Sequence, residues 1–241
     1  MPIIYEPKGR AREYALWAAN IYSGCVHGCR YCFAPAAIRR ERKDFHQNVM
    51  PRKNIKEQLQ KEAEKLATTN KGAKILLSFT TDPYQPIEEH LCITRDAIQT
   101  IHKAGLYVSI LTKGGSIAKR DFDLLSKDDS FGTTLTFIDK EDSEYWEPHA
   151  ASPADRIETM KSAHEIGITT WVSLEPVIDP KQTLELISET YKFVDFYKIG
   201  TLNHNELSKK INWKEFGHDA ERLLNALNAK YYIKKDLREK M

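Results

Sequence analysis

Asn20-Ile21-Tyr22-Ser23-Gly24-Cys25-Val26-His27-Gly28-Cys29-Arg30-Tyr31-Cys32-Phe33-Ala34-Pro35 holds three of the four cysteines of a 241-residue chain. Their spacing is C-x3-C-x2-C, on a glycine-containing loop just after Tyr14 to Tyr22, an apolar segment that reads as the first strand. Tight spacing lets the thiolates of Cys25, Cys29 and Cys32 converge on one iron–sulfur cubane. Three ligands leave one iron of such a [4Fe–4S] cluster without a protein donor. The fourth cysteine, Cys92, is far away in sequence, on a predicted helix between Leu91 and Ile93, and reads as a buried inert thiol.

An open iron can chelate the amino and carboxylate groups of S-adenosylmethionine (SAM), placing the sulfonium where an electron can enter it. The competing reading of the same array is structural zinc, with His27 or a distant histidine as fourth ligand. Zinc sites usually present two paired half-sites, and the sequence holds no second pair.

Outward from the cysteines, strand and helix patterns alternate. Lys74 to Phe79, Tyr107 to Leu111, Gly132 to Ile138, Thr169 to Leu174 and Phe193 to Ile199 read as strands. Between them lie predicted helices over Ile55–Thr69 (capped by Asn54), Glu88–Ala104 (ended by Gly105), Ile117–Leu125, Pro153–Glu165 (closed by Gly167) and Lys181–Tyr191, with a last one over Trp213–Leu227. About six βαβ units follow, forming an open sheet or a partial barrel; periodicity does not choose between them. Either way, functional residues belong at the carboxyl ends of the strands.

Composition is that of an ordinary globular chain, 41% apolar and 29% charged, and its length suits one large domain. With 36 basic and 34 acidic side chains, a net charge of +2 marks no global nucleic-acid binder. The start, Met1-Pro2-Ile3-Ile4-Tyr5-Glu6-Pro7, does not read as a signal peptide, and no apolar run reaches the roughly 18 residues that span a bilayer. A cytoplasmic protein is expected, whose four cysteines serve as metal ligands or reactive thiols rather than a disulfide framework.

C-x3-C-x2-C with an aromatic before the last cysteine resembles the radical SAM superfamily signature. The wider phrase NIYSGCVHGCRYCFAP is similar to the subgroup related to spore photoproduct lyase, often labelled DNA repair photolyases. SFTTDPYQPIE from Ser78, LTKGG from Leu111, WEPHAASPADR from Trp146 and SLEPVIDP from Ser173 keep that order, so the resemblance covers about Ala18 to Gly200. It implies an α/β fold, a partial (β/α)6 TIM-type barrel with the cluster loop after the first strand. A single domain is expected over 1–241, with a core of about 18–200 and a helical extension over about 205–241.

The resemblance also implies a SAM pocket across the strand ends. Thr80, Thr81 and Asp82 follow the second strand, where hydroxyls and a carboxylate could bond ribose or the methionyl amine. Lys113 approaches the SAM carboxylate in the lyase pattern, Thr136 stands at the position of a SAM-contacting serine, and Tyr31 could pack against adenine. Glu175 replaces a small residue of that pattern. Asn203 and His204 could face substrate, whereas Glu147 and Arg156 read as a structural ion pair.

The implied activity is reductive cleavage of SAM to a 5′-deoxyadenosyl radical that abstracts hydrogen from a substrate, after an electron from a donor such as flavodoxin or ferredoxin. DNA, in repair or modification, is a candidate substrate; RNA, a peptide or a metabolite is the alternative within the enzyme reading, and a zinc or iron–sulfur binding module the alternative outside it. Two departures from the lyase pattern stand out. Its hydrogen-donor cysteine is Phe79 here, and the shorter chain leaves little room for its DNA-contacting hairpin. The basic run Arg39-Arg40-Glu41-Arg42-Lys43 could hold phosphates or be a solvated helix face.

Overall fold

Val108, Ile110 and Thr112 turn one way from the strand Tyr107–Thr112 and are buried, while Ser109 and Leu111 turn the other way. That period of two repeats across the sheet and gives the molecule two cores. On the outer face, Ile75, Leu77, Val108, Ile110, Val172 and Ile199 pack with helix residues such as Leu59, Ile98, Ile101, Met160, Leu186 and Leu224. On the inner face, Ala18, Leu76 and Trp171 form a second cluster with Tyr14, Phe79, Leu111 and Phe196. Gly132 belongs to that inner face, for a Cβ there would lie inside the Trp171 indole.

The structure, a computed structural model, describes residues 2–203 and 205–241. Its main sheet is built from β1 (Ile4–Tyr5), β2 (Trp17–Ala19), β5 (Lys74–Leu77), β6 (Tyr107–Thr112), β7 (Ser130–Thr134), β8 (Thr170–Leu174), β9 (Phe196–Ile199) and β10 (Tyr231–Ile233), hydrogen-bonded in that order. A separate two-stranded ribbon, β3 (Tyr22–Ser23) with β4 (Met50–Pro51), flanks the cysteine loop. Strand β1 runs antiparallel to β2; from β2 to β10 the neighbours are parallel. Sequential parallel strands with helical crossovers make this a partial TIM-type barrel of the kind expected.

The helices that carry the crossovers are α3 (Ile55–Thr69), α5 (Ile93–Lys103), α7 (Pro153–Glu165), α8 (Pro180–Thr190) and α9 (Trp213–Ala226), with α1 (Ala34–Ala37), α2 (Arg42–Gln47), α4 (Glu88–Leu91), α6 (Lys140–Trp146) and α10 (Lys235–Arg238) as short pieces. Local chemistry explains the ends. Ser152 Oγ accepts from Asp155 N at 3.2 Å with Pro153 in the first turn of α7, and Asp179 accepts from Lys181 N and Gln182 N at the head of α8.

Several details differ from the sequence reading. The helix predicted over Glu88–Ala104 breaks at Cys92, which is left-handed (φ 52°), and buried Glu88 accepts from Thr94 N at 2.9 Å to start the second piece. Asn54 does precede α3, but in the left-handed region and without a capping bond from its side chain. Gly115–Leu124 forms a 3-10 segment rather than the α-helix predicted over Ile117–Leu125. The expected C-terminal helical extension contains a strand, because β10 adds to the sheet beside β9 as a seventh parallel strand among the described residues.

Candidate active site

The carboxyl ends of the parallel strands gather the residues singled out from sequence. Asn20 after β2 ties the first two strand ends together: its Oδ1 accepts from Phe79 N and Thr80 N, each at 2.9 Å, and its Nδ2 donates to Tyr5 Oη at 2.9 Å. The cysteine loop crosses this mouth. Cys25, Cys29 and Cys32 are all reduced; Cys29 is buried and the other two are half-buried. Cys25 N donates to Phe45 O at 3.1 Å, and Cys32 N to Cys29 O at 3.0 Å, so the loop is held from its own backbone. Gly24 is left-handed (φ 93°) and presses on Phe45 O, an approach that a side chain would prevent.

A second segment backs the loop. Arg30 N donates to Trp146 O at 2.8 Å and His149 N to His27 O at 3.2 Å. Tyr31 Oη donates to Glu147, whose carboxylate also takes Arg156, and Thr136 Oγ1 lies 3.3 Å from both Tyr31 Oη and Glu147 Oε1. Glu147 is 2% and Arg156 1% exposed. Arg156 further donates to Ala151 O at 2.7 Å and Thr134 O at 2.9 Å. Burial opposes ionisation of Glu147, yet Arg156 and Lys113 hold it below the usual carboxylate range. The pair is structural, as its sequence setting suggested, and it anchors the tyrosine between the last two cysteines.

Lys113 is half-buried with its Nζ 5.6 Å from the centre of the Tyr31 ring. Burial works against its charge, but Cys29 and Glu147 outweigh it and raise its pKa. Asp82 is engaged from within. It accepts from Thr112 Oγ1 at 2.6 Å, Lys113 N at 2.7 Å and Tyr84 N at 2.8 Å, and His27 Nε2 lies 3.2 Å away. Burial resists its charge, but the His27 ring and these donors pull its pKa down to about 2. Its carboxylate thus fixes the β5 and β6 strand ends and the cysteine loop together. Thr80 donates its N–H to Asn20, whereas Thr81 Oγ1 and Ser78 Oγ are buried with no hydrogen-bond partner among the described residues.

Glu175 stands apart from this group, on the other side of the mouth. Its Oε2 accepts from Tyr14 Oη and from Lys234 Nζ, each at 2.5 Å, and Tyr14 Oη lies 2.8 Å from Ser173 Oγ. Burial pushes the Glu175 pKa up against the pull of Lys234. Lys198 Nζ donates to Glu13 O and Tyr14 O at 2.9 and 2.7 Å; burial and the neighbouring Lys234 bring its pKa down to about 8. Tyr14, Lys198 and Lys234 were not singled out by sequence reasoning. Lys198 was visible in principle, since the alternation Phe196, Lys198, Gly200 puts it on the face that Phe196 shares with the inner cluster. Asn203 Nδ2 donates to Asp236 Oδ2 at 2.9 Å, and Arg10 to Asn203 Oδ1 at 2.6 Å; His204 lies outside the described residues.

These donors suit the implied groups. Burial holds the Cys25 thiol pKa up and pushes that of Cys29 to about 12. Such thiols ionise when metal charge compensates them, which iron supplies. Among the described residues no three His, Cys, Asp or Glu side chains are placed to hold one metal ion. That concerns a single ion, and a cubane draws each thiolate to a different iron. Two orphaned hydroxyls and an ammonium at the same mouth fit a polar cofactor beside the cysteines.

Compared with known proteins, residues 19–194 match the Radical SAM superfamily. The chain belongs to the radical SAM superfamily. It is therefore an enzyme whose cofactors are a [4Fe–4S] cluster and SAM, as its cysteine triplet implied. An uncharacterized protein of Methanocaldococcus jannaschii is 30% identical over 193 residues, which is 78% of this chain and 71% of that one. Among solved structures, a mutant spore photoproduct lyase with bound AdoMet and dinucleoside spore photoproduct superposes with a TM-score of 0.71 at 14% identity, covering 93% of this radical SAM chain and 78% of the lyase. Streptococcus suis SuiB bound to S-adenosylmethionine gives a TM-score of 0.62 at 14% identity over 90% of this chain and 45% of SuiB. At such identities the likeness is one of fold. No helix among the described residues is long and apolar enough to cross a membrane.

Proposed function

We propose that this enzyme cleaves SAM reductively and uses the product to abstract a hydrogen atom from a substrate at the carboxyl mouth of the barrel. The observation that carries the reading is the placement of three reduced thiols, Cys25, Cys29 and Cys32, on one loop beside orphaned hydroxyls and a charged lysine. When bound, the cluster and SAM together supply a 5′-deoxyadenosyl radical. The chain's own residues do the rest. The three cysteines hold the cluster. Lys113 offers its ammonium to the SAM carboxylate, and the hydroxyls of Thr81 and Ser78 offer hydrogen bonds. Thr80 is held through its backbone by Asn20, and Tyr31 and Thr136 form the wall that Glu147 and Arg156 fix. Asp82 positions the strand ends rather than presenting a free carboxylate. Inner-face aromatics Tyr14, Phe79 and Trp171, packed edge to face or tilted at 5.6 and 6.2 Å, keep water from the barrel interior below.

Glu175, with Lys234 and Tyr14 fastened to it, faces the substrate side of the mouth in this reading. DNA is the candidate substrate that the resemblance to the lyase subgroup favours, and the lyase structure with a dinucleoside lesion supports it only as a shape. Phe79 at the lyase's hydrogen-donor position has no labile hydrogen, so the reaction does not end on that residue. Anaerobic reconstitution tests the core of the proposal: about four iron per chain and 5′-deoxyadenosine formed from SAM and dithionite are expected. Stoichiometric zinc with no SAM turnover would overturn it. Deuterium passed from a labelled candidate substrate into 5′-deoxyadenosine then identifies the substrate.

A further inference from the structure

Arg42 reaches from the head of α2 to the cysteine loop, its guanidinium donating to Cys32 O at 3.1 Å and Cys29 O at 2.5 Å. An exposed side chain is thus one hydrogen bond from the backbone of two of the three loop cysteines. Arg30, beside Cys29, is exposed as well, with its guanidinium 4.1 Å from the centre of the Tyr145 ring. Arg39 and Lys43, on the α1–α2 segment that follows the loop, are exposed cations too.

The acids of this segment are already used. Glu41 accepts from Lys43 N at 2.9 Å and Asp44 N at 2.7 Å, capping α2, and Asp44 takes Arg40. Among the described residues, Arg30, Arg39, Arg42 and Lys43 have no carboxylate at ion-pair distance. In a chain of 36 basic and 34 acidic side chains, that is a local excess. Apolar residues sit on the same segments, Ile38 at 40% and Tyr145 at 57% exposure. A cationic surface with a few exposed apolar residues is what a small, transient electron-transfer contact uses, with steering by charge and little buried area.

We propose that this face, from Arg30 and Tyr145 across Ile38 and Arg39 to Lys43, is the docking surface for a small acidic electron-carrier protein. The inference rests on the function proposed above. In the step it serves, the carrier loses one electron and the cluster gains it, with no atom transferred. An acidic carrier and a nucleic acid both complement this charge; position selects the carrier, because Arg30 belongs to the cysteine loop, the place an electron must reach, and Arg42 bonds that loop's carbonyls.

The test is the double variant Arg39→Asp, Lys43→Glu. Asp tolerates the left-handed backbone of Arg39 (φ 56°), and Glu suits the first turn of α2, so folding is preserved. Reduced flavodoxin and reduced ferredoxin are titrated separately onto reconstituted and cluster-free protein by calorimetry at low salt. The expected result for at least one carrier is a dissociation constant raised about tenfold in the variant, with the difference shrinking as salt rises. Carrier-driven 5′-deoxyadenosine formation falls in step at subsaturating carrier, while dithionite-driven formation stays within about twofold. Unchanged carrier binding in the variant overturns the docking surface. So does loss of a DNA or RNA gel shift with carrier binding intact, which assigns the face to nucleic acid. Absence of dithionite-driven turnover in the parent protein overturns the function itself, a separate outcome.

Discussion

Glu147 and Arg156 are both almost fully buried, and each leans on the other. Removing one partner of such a pair leaves the other buried and charged, at a cost of about 3–5 kcal/mol. Arg156→Met therefore lowers unfolding stability by that order in urea titration, and Glu147→Leu with Arg156→Met together recovers much of it; a single variant as stable as the parent would show that the pair does not hold the loop. Lys198 gives a prediction in pH. Its folded pKa, about 8, is depressed from 10.5 by burial and Lys234, so the folded chain loses that proton first. Between those values the unfolded chain binds more protons, and stability rises with pH across the window. Lys198→Met removes that component, and chemical denaturation from pH 7.5 to 10.5 reads it as a shallower slope. At this scale the sequence was most legible where chemistry is packed into a short stretch. Cys25, Cys29 and Cys32 share one short loop that their spacing alone marks out, and Tyr31, Thr136 and Lys113 do lie together. Tyr14, Lys198 and Lys234 escaped notice because they meet only across the sheet, over separations such as 184 residues.

Among the elements, β7 and β8 depend on one missing side chain. Gly132→Ala drives a methyl into the Trp171 indole and costs about 1–3 kcal/mol by overpacking. Thermal melting detects it, and Trp171→Leu in the same chain relieves it; an unperturbed Gly132→Ala variant would mean that the inner core is slack. The strands and long helices were readable because each buries one face at its own period, as Val108 and Ile110 or Ile98 and Ile101 do. What was not readable depends on partners far away. The break at Cys92 is made by Glu88, which Tyr22 and Arg120 also engage, and the three-residue β10 exists because β9 offers it an edge.

For the whole molecule, SAM belongs to the folded state alone, so it adds stability by mass action. At a hundred times its dissociation constant it contributes about 2.7 kcal/mol. Anaerobic melting of reconstituted protein with and without SAM shows this as a raised Tm. Cys29→Ala loses both its iron and the SAM-dependent shift; a variant that kept either would refute the ligand assignment.

Glu13 links the two edges of the sheet: its Oε1 accepts from Lys235 N at 2.8 Å and Tyr232 Oη at 2.9 Å, while its carbonyl takes Lys198. The bond to Lys235 spans 222 residues. During synthesis the seam across the barrel thus stays open until Lys235 has been added, and a nascent chain stopped short of Tyr231 would carry its whole cysteine loop while its two margins still hung apart.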